Sequence, residues 1–433
     1  MKKLKNWNRW LVVLAFVSLF FAVIYQNLSK KQDMLTLLQL GESATSRFEN
    51  ISGDYTSYKL WDNREEFLGY ATITSGSGYG GKINVLSIID EAGQIKKILL
   101  LENHETPLYL SKVLETGFLE NLTGVVIESG LENIDGVSGA TVTVEGILSA
   151  VQKGIIQVGN EQLGLDIPLV NSINLNRKDI LVFVLVVFSI VCAAYNFKKI
   201  RPWLLVLSVI FIGFTLNYSI TYSNYVGLLA GNLPVFIERP IWYVMVPGVL
   251  LVTLLFGRNF YCYWLCPFGA VQEGIFKSLN LYNFSPSREI KAKANKNRWP
   301  LLWLVAFVAL IYNHSGVAGY EPFSVFFSGD GNKAQWAIMV IVLLVSMAQL
   351  RFWCRNFCPV GTILDFIAKL KRKIRRLASE HKDLAELSAN SSCSLACGSD
   401  KDPLTKQDRF YVLLVSAVNI LIILSLLQSI GQT

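Results

Sequence analysis

The sequence predicts an α-helical polytopic membrane protein with about seven spans and one α+β domain outside the membrane. Three observations predict this fold class. Of the 433 residues, 52% are hydrophobic and 17% are charged, against about 25% charged residues in soluble domains. Apolar runs of near-spanning length recur along the chain, whereas residues 28–178 contain none. We therefore expect an N-terminal membrane anchor at 1–27, an extracytoplasmic domain at 28–178 and a six-span membrane domain at 179–433.

The flanking charges predict the orientation of these spans. Lys2, Lys3, Lys5 and Arg9 precede the first run, which places the N-terminus in the cytoplasm. A signal peptide begins in a similar way, but no small-x-small cleavage site follows, which favours a retained anchor. The seven runs cover about residues 10–25, 179–197, 202–221, 240–257, 299–313, 335–350 and 409–428. With the N-terminus inside, the C-terminus is predicted to lie outside.

The basic residues bear on the expected partners. A net charge of +8 could indicate nucleic acid binding, but the basic residues lie beside apolar runs, so topology explains them better and no nucleic acid partner is expected. The loops predicted outside, 224–239 and 314–335, have few basic residues. Within 365–381, Phe366, Leu370 and Ile374 share a helical stripe among basic residues. This segment is expected to contact anionic membrane lipid, with a solvated basic helix as the alternative.

Between the first two spans the pattern changes to short alternating runs. Examples are YATITSGSGYG at 70–80 and INVLSIIDEAGQIKKILLL at 83–101, which glycine-rich turns separate. Period-two alternation with such turns predicts antiparallel hairpins, and the following apolar periodicity predicts flanking helices. We expect a small α+β domain here.

The most specific sequence in this domain is Asp135-Gly-Val-Ser-Gly-Ala-Thr141, which leads into the helical pattern VTVEGILSAVQKGI. The first amides of a helix are unpaired and its positive end favours an anion, and a glycine lets the backbone approach a bulky group. These features indicate a phosphate site, or else an ordinary helix N-terminus. Two further stretches favour the first interpretation, namely Gly76-Ser-Gly-Tyr-Gly-Gly81 and His104-Glu-Thr-Pro107.

Together these stretches resemble the FMN-binding domain of sodium-pumping quinone reductase, Rnf-type and NosR/NirI-type proteins, over about residues 60–157. In that family a flavin transferase esterifies FMN to the last threonine of the motif. The resemblance implies covalent FMN on Thr141, recognised through Asp135, Ser138, Gly139 and Ala140. It also implies an isoalloxazine pocket lined by Tyr79, Gly80, Gly81, Glu105 and Thr106. Leu108 follows the E-T-P sequence where many relatives have glycine, so this wall departs from the family pattern.

Six of the seven cysteines form three pairs with the same spacing. Cys262-Tyr-Trp-Leu-Cys266-Pro-Phe-Gly269 and Cys354-Arg-Asn-Phe-Cys358-Pro-Val-Gly361 repeat each other, each just after a predicted span. Cysteines at i and i+4 share a helical face, so two pairs could supply four thiolates, which suit a [4Fe–4S] cluster or zinc. Packing thiols beside a turn are the remaining alternative. The C-x3-C-P pairs also resemble the polyferredoxin-like membrane part of NosR/NirI and NapH proteins, which implies iron–sulfur.

The other cysteines fit this pattern less well. The pair Cys393 and Cys397 lacks the proline and could give alternative ligands, a second incomplete site or a redox-active dithiol. Cys192 stands alone in an apolar run and is predicted to be a packing residue. All three pairs are predicted to face the cytoplasm, where thiols stay reduced, so structural disulfides are not expected.

The whole pattern looks most like the PceC/RdhC-type proteins associated with reductive dehalogenases in organohalide respiration. The resemblance implies electron transfer from menaquinol in the quinone pool, or from a cytoplasmic donor, to the FMN and then to an extracytoplasmic reductase. Because the hydrocarbon core is ~30 Å thick, flavin and cysteines at opposite surfaces would need an intermediate carrier, such as a quinone near Glu321 or His314. The alternatives are a membrane-bound regulator or sensor, and a maturation factor for such a reductase.

Overall fold

The computed structural model describes residues 13–25, 34–105, 107–127, 137, 140–167, 177–279, 286–383 and 406–430. The chain consists of an α+β part and a helical part that follows it. Its first helix, α1, spans Val13–Tyr25.

The α+β part is built on one five-stranded antiparallel sheet whose strands lie in chain order. The strands are β1 (Arg47–Ile51), β2 (Thr56–Trp61), β3 (Phe67–Ser77), β4 (Lys82–Ile89) and β5 (Ile95–Asn103). The helices are α2 (Met34–Gly41), α3 (Pro107–Glu115), α4 (Phe118–Asn121) and α5 (Thr141–Gln162). On one face, Ile83 and Val85 pack with Ile147 of α5. On the other, Leu86 packs with Leu38 of α2. The predicted α+β architecture with antiparallel hairpins is confirmed.

Helix α5 lies unusually close to β3 because both elements carry glycine where they cross. A Cβ atom on Gly76 would lie 1.9 Å from the carbonyl oxygen of Gly146. The hydroxyl of Thr74 donates to the carbonyl of Ala150 at 2.6 Å. This close contact fixes the start of α5, which bears Thr141, against the end of β3 and its glycine-rich turn.

The helical part contains twelve α-helices among the described residues, and several are interrupted. They are α6 (Arg177–Ala194), α7 (Arg201–Ser208), α8 (Tyr222–Ala230), α9 (Pro240–Tyr243), α10 (Val249–Phe256), α11 (Pro267–Leu279), α12 (Arg288–Ile311), α13 (Pro322–Ser328), α14 (Lys333–Ser346), α15 (Phe352–Asn356), α16 (Pro359–Asp383) and α17 (Lys406–Ile430). A 3₁₀ turn occupies Ser315–Ala318, and π-helical turns occupy Val209–Thr215, Val244–Gly248 and Tyr261–Leu265. Single π-turns of this kind are frequent at functional sites.

Each predicted apolar run overlaps a helix. A membrane span must in addition be long enough and apolar enough to cross the hydrocarbon core. Among the described residues, only Arg409–Ile430 is both long and apolar enough to cross a membrane. Four further apolar helices are shorter: Val13–Tyr25, Arg201–Thr215, Pro240–Phe256 and Lys333–Ser346. Seven spans therefore stay a prediction.

The α+β part packs on the two loops predicted to lie outside the membrane. Lys112 of α3 pairs with Asp330 at 2.5 Å, and Lys153 of α5 pairs with Glu238. The hydroxyl of Tyr109 donates to Ser328 at 3.3 Å. The loops 224–239 and 314–335 thus hold the α+β part against the helical part, while the side of the membrane on which they lie stays a prediction.

Candidate flavin and cysteine sites

The predicted attachment residue, Thr141, is the first residue of α5, and its N-cap is Ala140. Ala140 is buried, and its carbonyl accepts the first helical hydrogen bond, from Val144 at 3.0 Å. Among the described residues, no side chain caps this helix end, so its first amides suit an anion such as a flavin phosphate. The side chain of Thr141 and the predicted residues Asp135, Ser138, Gly139 and Thr106 lie outside the described residues.

Glu105 connects the three stretches that carry the flavin resemblance. Its Oε1 accepts the N–H of Gly80 at 2.8 Å, and its Oε2 accepts the hydroxyl of Thr143 on the first turn of α5. Burial raises the pKa of Glu105, while the bonds from Thr143 and Gly80 oppose that shift. In the structure the Glu105 carboxyl group holds the glycine-rich turn beside α5, and its place in a flavin pocket stays a prediction.

The glycine-rich turn is tight because backbone groups occupy the space of side chains. The N–H of Gly78 donates to the carbonyl of Gly81 at 2.8 Å. A Cβ on Gly78 would lie 2.2 Å from Oε1 of Glu105, and one on Gly80 would lie 2.1 Å from the His104 carbonyl oxygen. Gly81 has a φ of 149°, a conformation that favours glycine. The turn therefore presents a single large side chain, that of Tyr79.

Tyr79 projects toward the helical part and lines two cavities there. The first, which we call the aromatic cavity, is lined by Tyr79, Tyr218, Asn224, Arg239, Trp242 and Met245, with Ser219 and Ile220 at its end. The second, which we call the acidic cavity, is lined by Tyr79, Tyr109, Thr221, Ser223, Glu321 and Gln335. Tyr79 also contacts Tyr109 edge to face, with ring centroids 5.4 Å apart. The predicted flavin-pocket residue therefore lies between the two parts of the chain.

The four cysteines of the C-x3-C-P pairs line one cavity. Cys262 and Cys266 come from the π-helical turn after α10, and Cys354 and Cys358 come from α15 and the residues after it. Apolar and aromatic neighbours complete this cysteine cavity, namely Ile220, Tyr261, Phe268, Phe323 and Val360. The two pairs therefore meet at one cavity, while a common metal or cluster site stays a prediction.

The two pairs share the same backbone geometry. The N–H of Cys266 donates to the Tyr261 carbonyl at 2.8 Å, and that of Cys358 to the Trp353 carbonyl at 3.0 Å, both spanning five residues. Each second cysteine then precedes a helix with proline at its first position, α11 or α16. A proline is well tolerated there.

Each of these two cysteine sulfurs also caps the helix that follows it. The N–H of Gly269 donates to Sγ of Cys266 at 3.4 Å, and that of Gly361 donates to Sγ of Cys358 at 3.3 Å. The positive helix ends stabilise negative charge on these sulfurs. The sequence C-x3-C-P-x-G thus encodes a thiolate site at each helix start.

A group of charged side chains adjoins the first pair. Glu273 of α11 accepts two hydrogen bonds from Arg201, at 2.8 and 2.6 Å, two from Arg351, at 3.1 and 2.7 Å, and one from Lys277 at 2.7 Å. Arg351 also donates to the carbonyl of Cys262 at 2.5 Å. The positive charge of Arg351 therefore lies beside the cysteine cavity, held in place by Glu273.

Four thiolates suit a [4Fe–4S] cluster or zinc. In this structure, no three His, Cys, Asp or Glu side chains among the described residues lie close enough to hold one metal ion. Burial raises the pKa of all four thiols, and metal binding would remove their protons.

Comparison with known protein families agrees with both sites. Residues 78–156 match the family described as FMN-binding domain, and residues 238–285 and 336–376 match the family described as 4Fe-4S binding domain. The chain therefore carries both domains. Each cysteine pair falls inside one of the two 4Fe-4S segments, and Thr141 falls inside the FMN-binding segment.

Several curated relatives are similar to part of the chain. Protein NirI of Paracoccus denitrificans is 29% identical over 194 residues, which is 40% of this chain and 27% of that protein. Regulatory protein NosR of Stutzerimonas stutzeri is 25% identical over 187 residues, 40% of this chain and 26% of that protein. Putative electron transport protein YccM of Escherichia coli is 26% identical over 180 residues, 38% of this chain and 49% of that protein. The chain thus resembles NosR/NirI-type proteins and spans about a quarter to a half of the length of these relatives.

The aromatic cavity and the cysteine cavity adjoin each other. Ser219 and Ile220 line both of them. We call these two residues the partition. The cavity that Tyr79 lines is therefore next to the cavity that the four cysteines line. The position of each site relative to a membrane, and the intermediate carrier between them, stay predictions.

Sequence reasoning missed the side chains that the helical part contributes. Arg239 reaches the first turn of α5, with Nη2 donating to the Val142 carbonyl at 3.4 Å. Glu273 and Arg201 are separated by 72 positions in the chain. One sequence signal was available, because an arginine precedes each cysteine pair, Arg258 before the first and Arg351 before the second. Cys192 is fully buried on α6, as a packing residue should be, whereas Cys393 and Cys397 lie outside the described residues.

Proposed function

We propose that this chain is a membrane-bound electron-transfer flavoprotein. It holds FMN covalently on Thr141 and a [4Fe–4S] cluster on Cys262, Cys266, Cys354 and Cys358. When bound, FMN exchanges electrons singly or in pairs and the cluster exchanges them singly, so the two can connect a quinol to a one-electron acceptor. The observation that carries the proposal is the partition shared by the cavity of the four cysteines and the cavity that reaches Tyr79.

The covalent flavin is tested by mass and fluorescence. The chain is produced in cells that have the flavin transferase, denatured, and digested. A peptide containing Thr141 should carry the mass of FMN less water, and the Thr141→Val variant should lose flavin fluorescence from the denatured polypeptide. Thr123→Val, at an exposed threonine of the same domain, is the control and should keep it. An unmodified Thr141 peptide would refute the attachment.

The cluster is tested by metal content and spectroscopy after anaerobic purification. We expect iron and acid-labile sulfide in near-equal amounts, with little zinc, and an EPR signal on reduction. Cys262→Ser and Cys354→Ser should each abolish the signal, because each removes one ligand from a different pair. Cys192→Ala, on α6, should keep it. A stoichiometric zinc content without sulfide would overturn this part of the proposal.

The exposed apolar surface supports a location in the cytoplasmic membrane. Phe183, Val187 and Val191 lie exposed along α6, and Leu413, Ile420 and Leu427 lie exposed along α17. Exposed apolar surface of this extent marks an interaction with lipid or another protein. We propose seven spans with the N-terminus inside and the α+β part outside. Labelling of single introduced cysteines from each side tests this, and cytoplasmic labelling of residue 123 would contradict it.

The electron donor we favour is menaquinol, with a cytoplasmic donor as the alternative. The acidic cavity offers a fully buried carboxyl at Glu321 beside hydroxyl groups of Thr221 and Ser223. Burial raises the pKa of Glu321 to about 8, so the carboxyl could exchange a proton near neutral pH. Glu321→Gln should slow flavin reduction by a menaquinol analogue at least tenfold, while reduction by dithionite is unchanged. Equal rates with the quinol would exclude this role.

The acceptor we propose is an extracytoplasmic reductase of the reductive dehalogenase type, as in PceC/RdhC-type proteins and organohalide respiration. Cross-linking of membranes from the source cells, followed by mass spectrometry, tests this partner. A second function is favoured by the names of two relatives, each called Regulatory protein NosR. If the chain is a regulator or a maturation factor, its deletion should change reductase expression or cofactor content without changing electron flow to purified reductase.

A further inference from the structure

The aromatic cavity lies beside the predicted flavin attachment point. Arg239 connects the two places, because its side chain lines the cavity while its Nη2 donates to the carbonyl of Val142, the residue after Thr141. The same guanidinium holds the end of β3 through a 3.0 Å bond from Nε to the Ser77 carbonyl. A group attached at residue 141 therefore has this cavity as its neighbour.

The walls of the cavity suit a flat, partly polar ring. Tyr218 and Trp242 supply aromatic faces and Met245 supplies a polarisable sulfur, which packs well against rings. The indole N–H of Trp242 donates to Oδ1 of Asn224 at 3.2 Å, and this bond fixes the orientation of the indole. Tyr79, from the glycine-rich turn of the α+β part, completes the lining of the cavity.

One cation faces this space. The Nη1 group of Arg239 makes no hydrogen bond within the described part of the chain, whereas Nε and Nη2 are both used. The carboxylate nearest to the Arg239 guanidinium is that of Glu145, whose Oε2 lies 3.9 Å from Nη2 and whose side chain is mostly exposed. A guanidinium in this position can donate to a carbonyl-bearing ring edge and favours negative charge there.

We propose that the isoalloxazine ring of FMN lies in the aromatic cavity, against Trp242 and Tyr218, with Arg239 facing its polar edge. The helical part then completes a flavin site that the α+β part only begins. This inference rests on the proposed attachment of FMN to Thr141. Within it, Trp242 and Tyr218 bind the ring, and Arg239 tunes its electronics, since charge near the ring nitrogens changes a flavin's reactivity.

The test uses the full-length, detergent-solubilised chain with FMN attached. Indole stacking quenches flavin emission, so native protein should be several-fold dimmer than the same protein after denaturation. Trp242→Leu should raise native flavin emission at least threefold. Trp336→Leu, at an exposed tryptophan of α14, is the matched control and should leave emission unchanged. Tyr218→Leu gives a second, independent change in the same wall.

The charge is tested by the flavin midpoint potential. Arg239→Gln should weaken the preference for the reduced, more negative flavin about tenfold, which is ~30 mV for a two-electron couple, and Arg239→Lys should recover part of it. The attached FMN is measured in every variant. If FMN is absent from Thr141 in the native chain, the proposed function fails. If FMN is present and Trp242→Leu, Tyr218→Leu and Arg239→Gln change neither emission nor potential, the ring lies elsewhere.

A quinone is the other ring that such a cavity could accept, and the same variants distinguish it. A quinone site would make Trp242→Leu weaken the binding of a menaquinone analogue while flavin emission stays as in the native chain. That outcome would overturn the inference and leave covalent FMN intact.

Discussion

Two buried glutamates, one beside each site, lie in opposite electrostatic surroundings. Glu273 adjoins the cysteine cavity and accepts hydrogen bonds from Arg201, Arg351 and Lys277. Glu321 adjoins the acidic cavity, whose lining contains no cationic side chain, and its described hydrogen bond comes from the N–H of Tyr222. Both are at least nine-tenths buried. The same residue type is therefore held charged in one region and neutral in the other.

The pKa shifts follow from this difference. Burial alone would raise the pKa of Glu273, but the bonds from Arg201 and Lys277 and the charge of Arg351 lower it well below its usual range. Burial raises the pKa of Glu321 to about 8, and the N–H of Tyr222 offsets only part of this. Burial thus sets a carboxyl's charge only together with its partners. Glu273, beside the cysteine cavity, therefore keeps its charge, whereas Glu321, in the acidic cavity, can exchange a proton near neutral pH.

The largest effect is expected from Glu273→Gln. Loss of the carboxylate leaves Arg201 and Arg351 without their common partner, and breaking such a buried pair costs about 3 kcal/mol. The variant should denature at a clearly lower temperature and lose its cluster faster on exposure to air. Glu115→Gln, at an exposed position of α3, is the control. A native-like denaturation temperature would show that Glu273 does not hold this side together.

The pH dependence gives a second contrast, through Glu321→Gln. The folded pKa of Glu321 exceeds the unfolded value of about 4.3, so its stabilising contribution is complete below that value and is lost as pH rises through about 8. Relative to the variant, the native chain should lose ~2 kcal/mol of unfolding free energy between pH 6 and pH 8. Denaturation midpoints measured at four pH values check this, and parallel curves would contradict it.

Glu273 should behave in the reverse way with pH. Its folded pKa is lowered, so its contribution is present above the unfolded pKa of about 4.3 and is lost as pH falls below it. The native chain should be more stable than Glu273→Gln at pH 7. This difference in unfolding free energy should shrink as the pH falls below the unfolded pKa. This difference in sign separates the two glutamates more clearly than any single stability value.

The sequence predicted what is local and missed what is distant. The spacing C-x3-C-P-x-G predicted two like pairs, because the five-residue backbone bond and the glycine N–H to sulfur bond each close within eight residues. The alternation in 70–101 likewise predicted the hairpins. The contact of Glu273 with Arg201 joins residues 72 positions apart, and that of Arg239 with Val142 joins residues 97 positions apart. No periodicity encodes them, and only the fold brings them together.

The number of spans shows the same limit in another form. Each apolar run in the sequence corresponds to a helix in the structure. Hydrophobicity could not show, however, that α7 and α9 continue into π-helical turns. Likewise, the partition of Ser219 and Ile220 has no sequence signal, since two small or apolar residues after a helix are unremarkable. The sequence therefore did not predict that the aromatic cavity and the cysteine cavity adjoin.

A smaller effect is expected from Arg351→Gln. Arg351 contacts the first pair through the Cys262 carbonyl and is held by Glu273. Removing its positive charge should disfavour the more negative, reduced cluster about tenfold, which is ~59 mV for a one-electron couple. EPR-monitored redox titration measures this shift. Arg375→Gln removes an equal charge from an exposed position of α16, away from the cysteines in the chain, and a shift as large as that of Arg351→Gln would assign the effect to net charge alone.

The smallest effect is expected from Lys277→Met, and it tests whether the cations around Glu273 are equivalent. The Lys277 side chain is 63% exposed, so water screens its pair with Glu273, and such pairs contribute about 0.5 kcal/mol or less. Arg201 and Arg351 are only 10% and 13% exposed, and they retain the carboxylate in its charged form. The denaturation midpoint and the cluster potential of Lys277→Met should therefore match those of the native chain. A loss comparable to that of Glu273→Gln would mean that the outermost cation, and not the buried arginines, keeps Glu273 ionised.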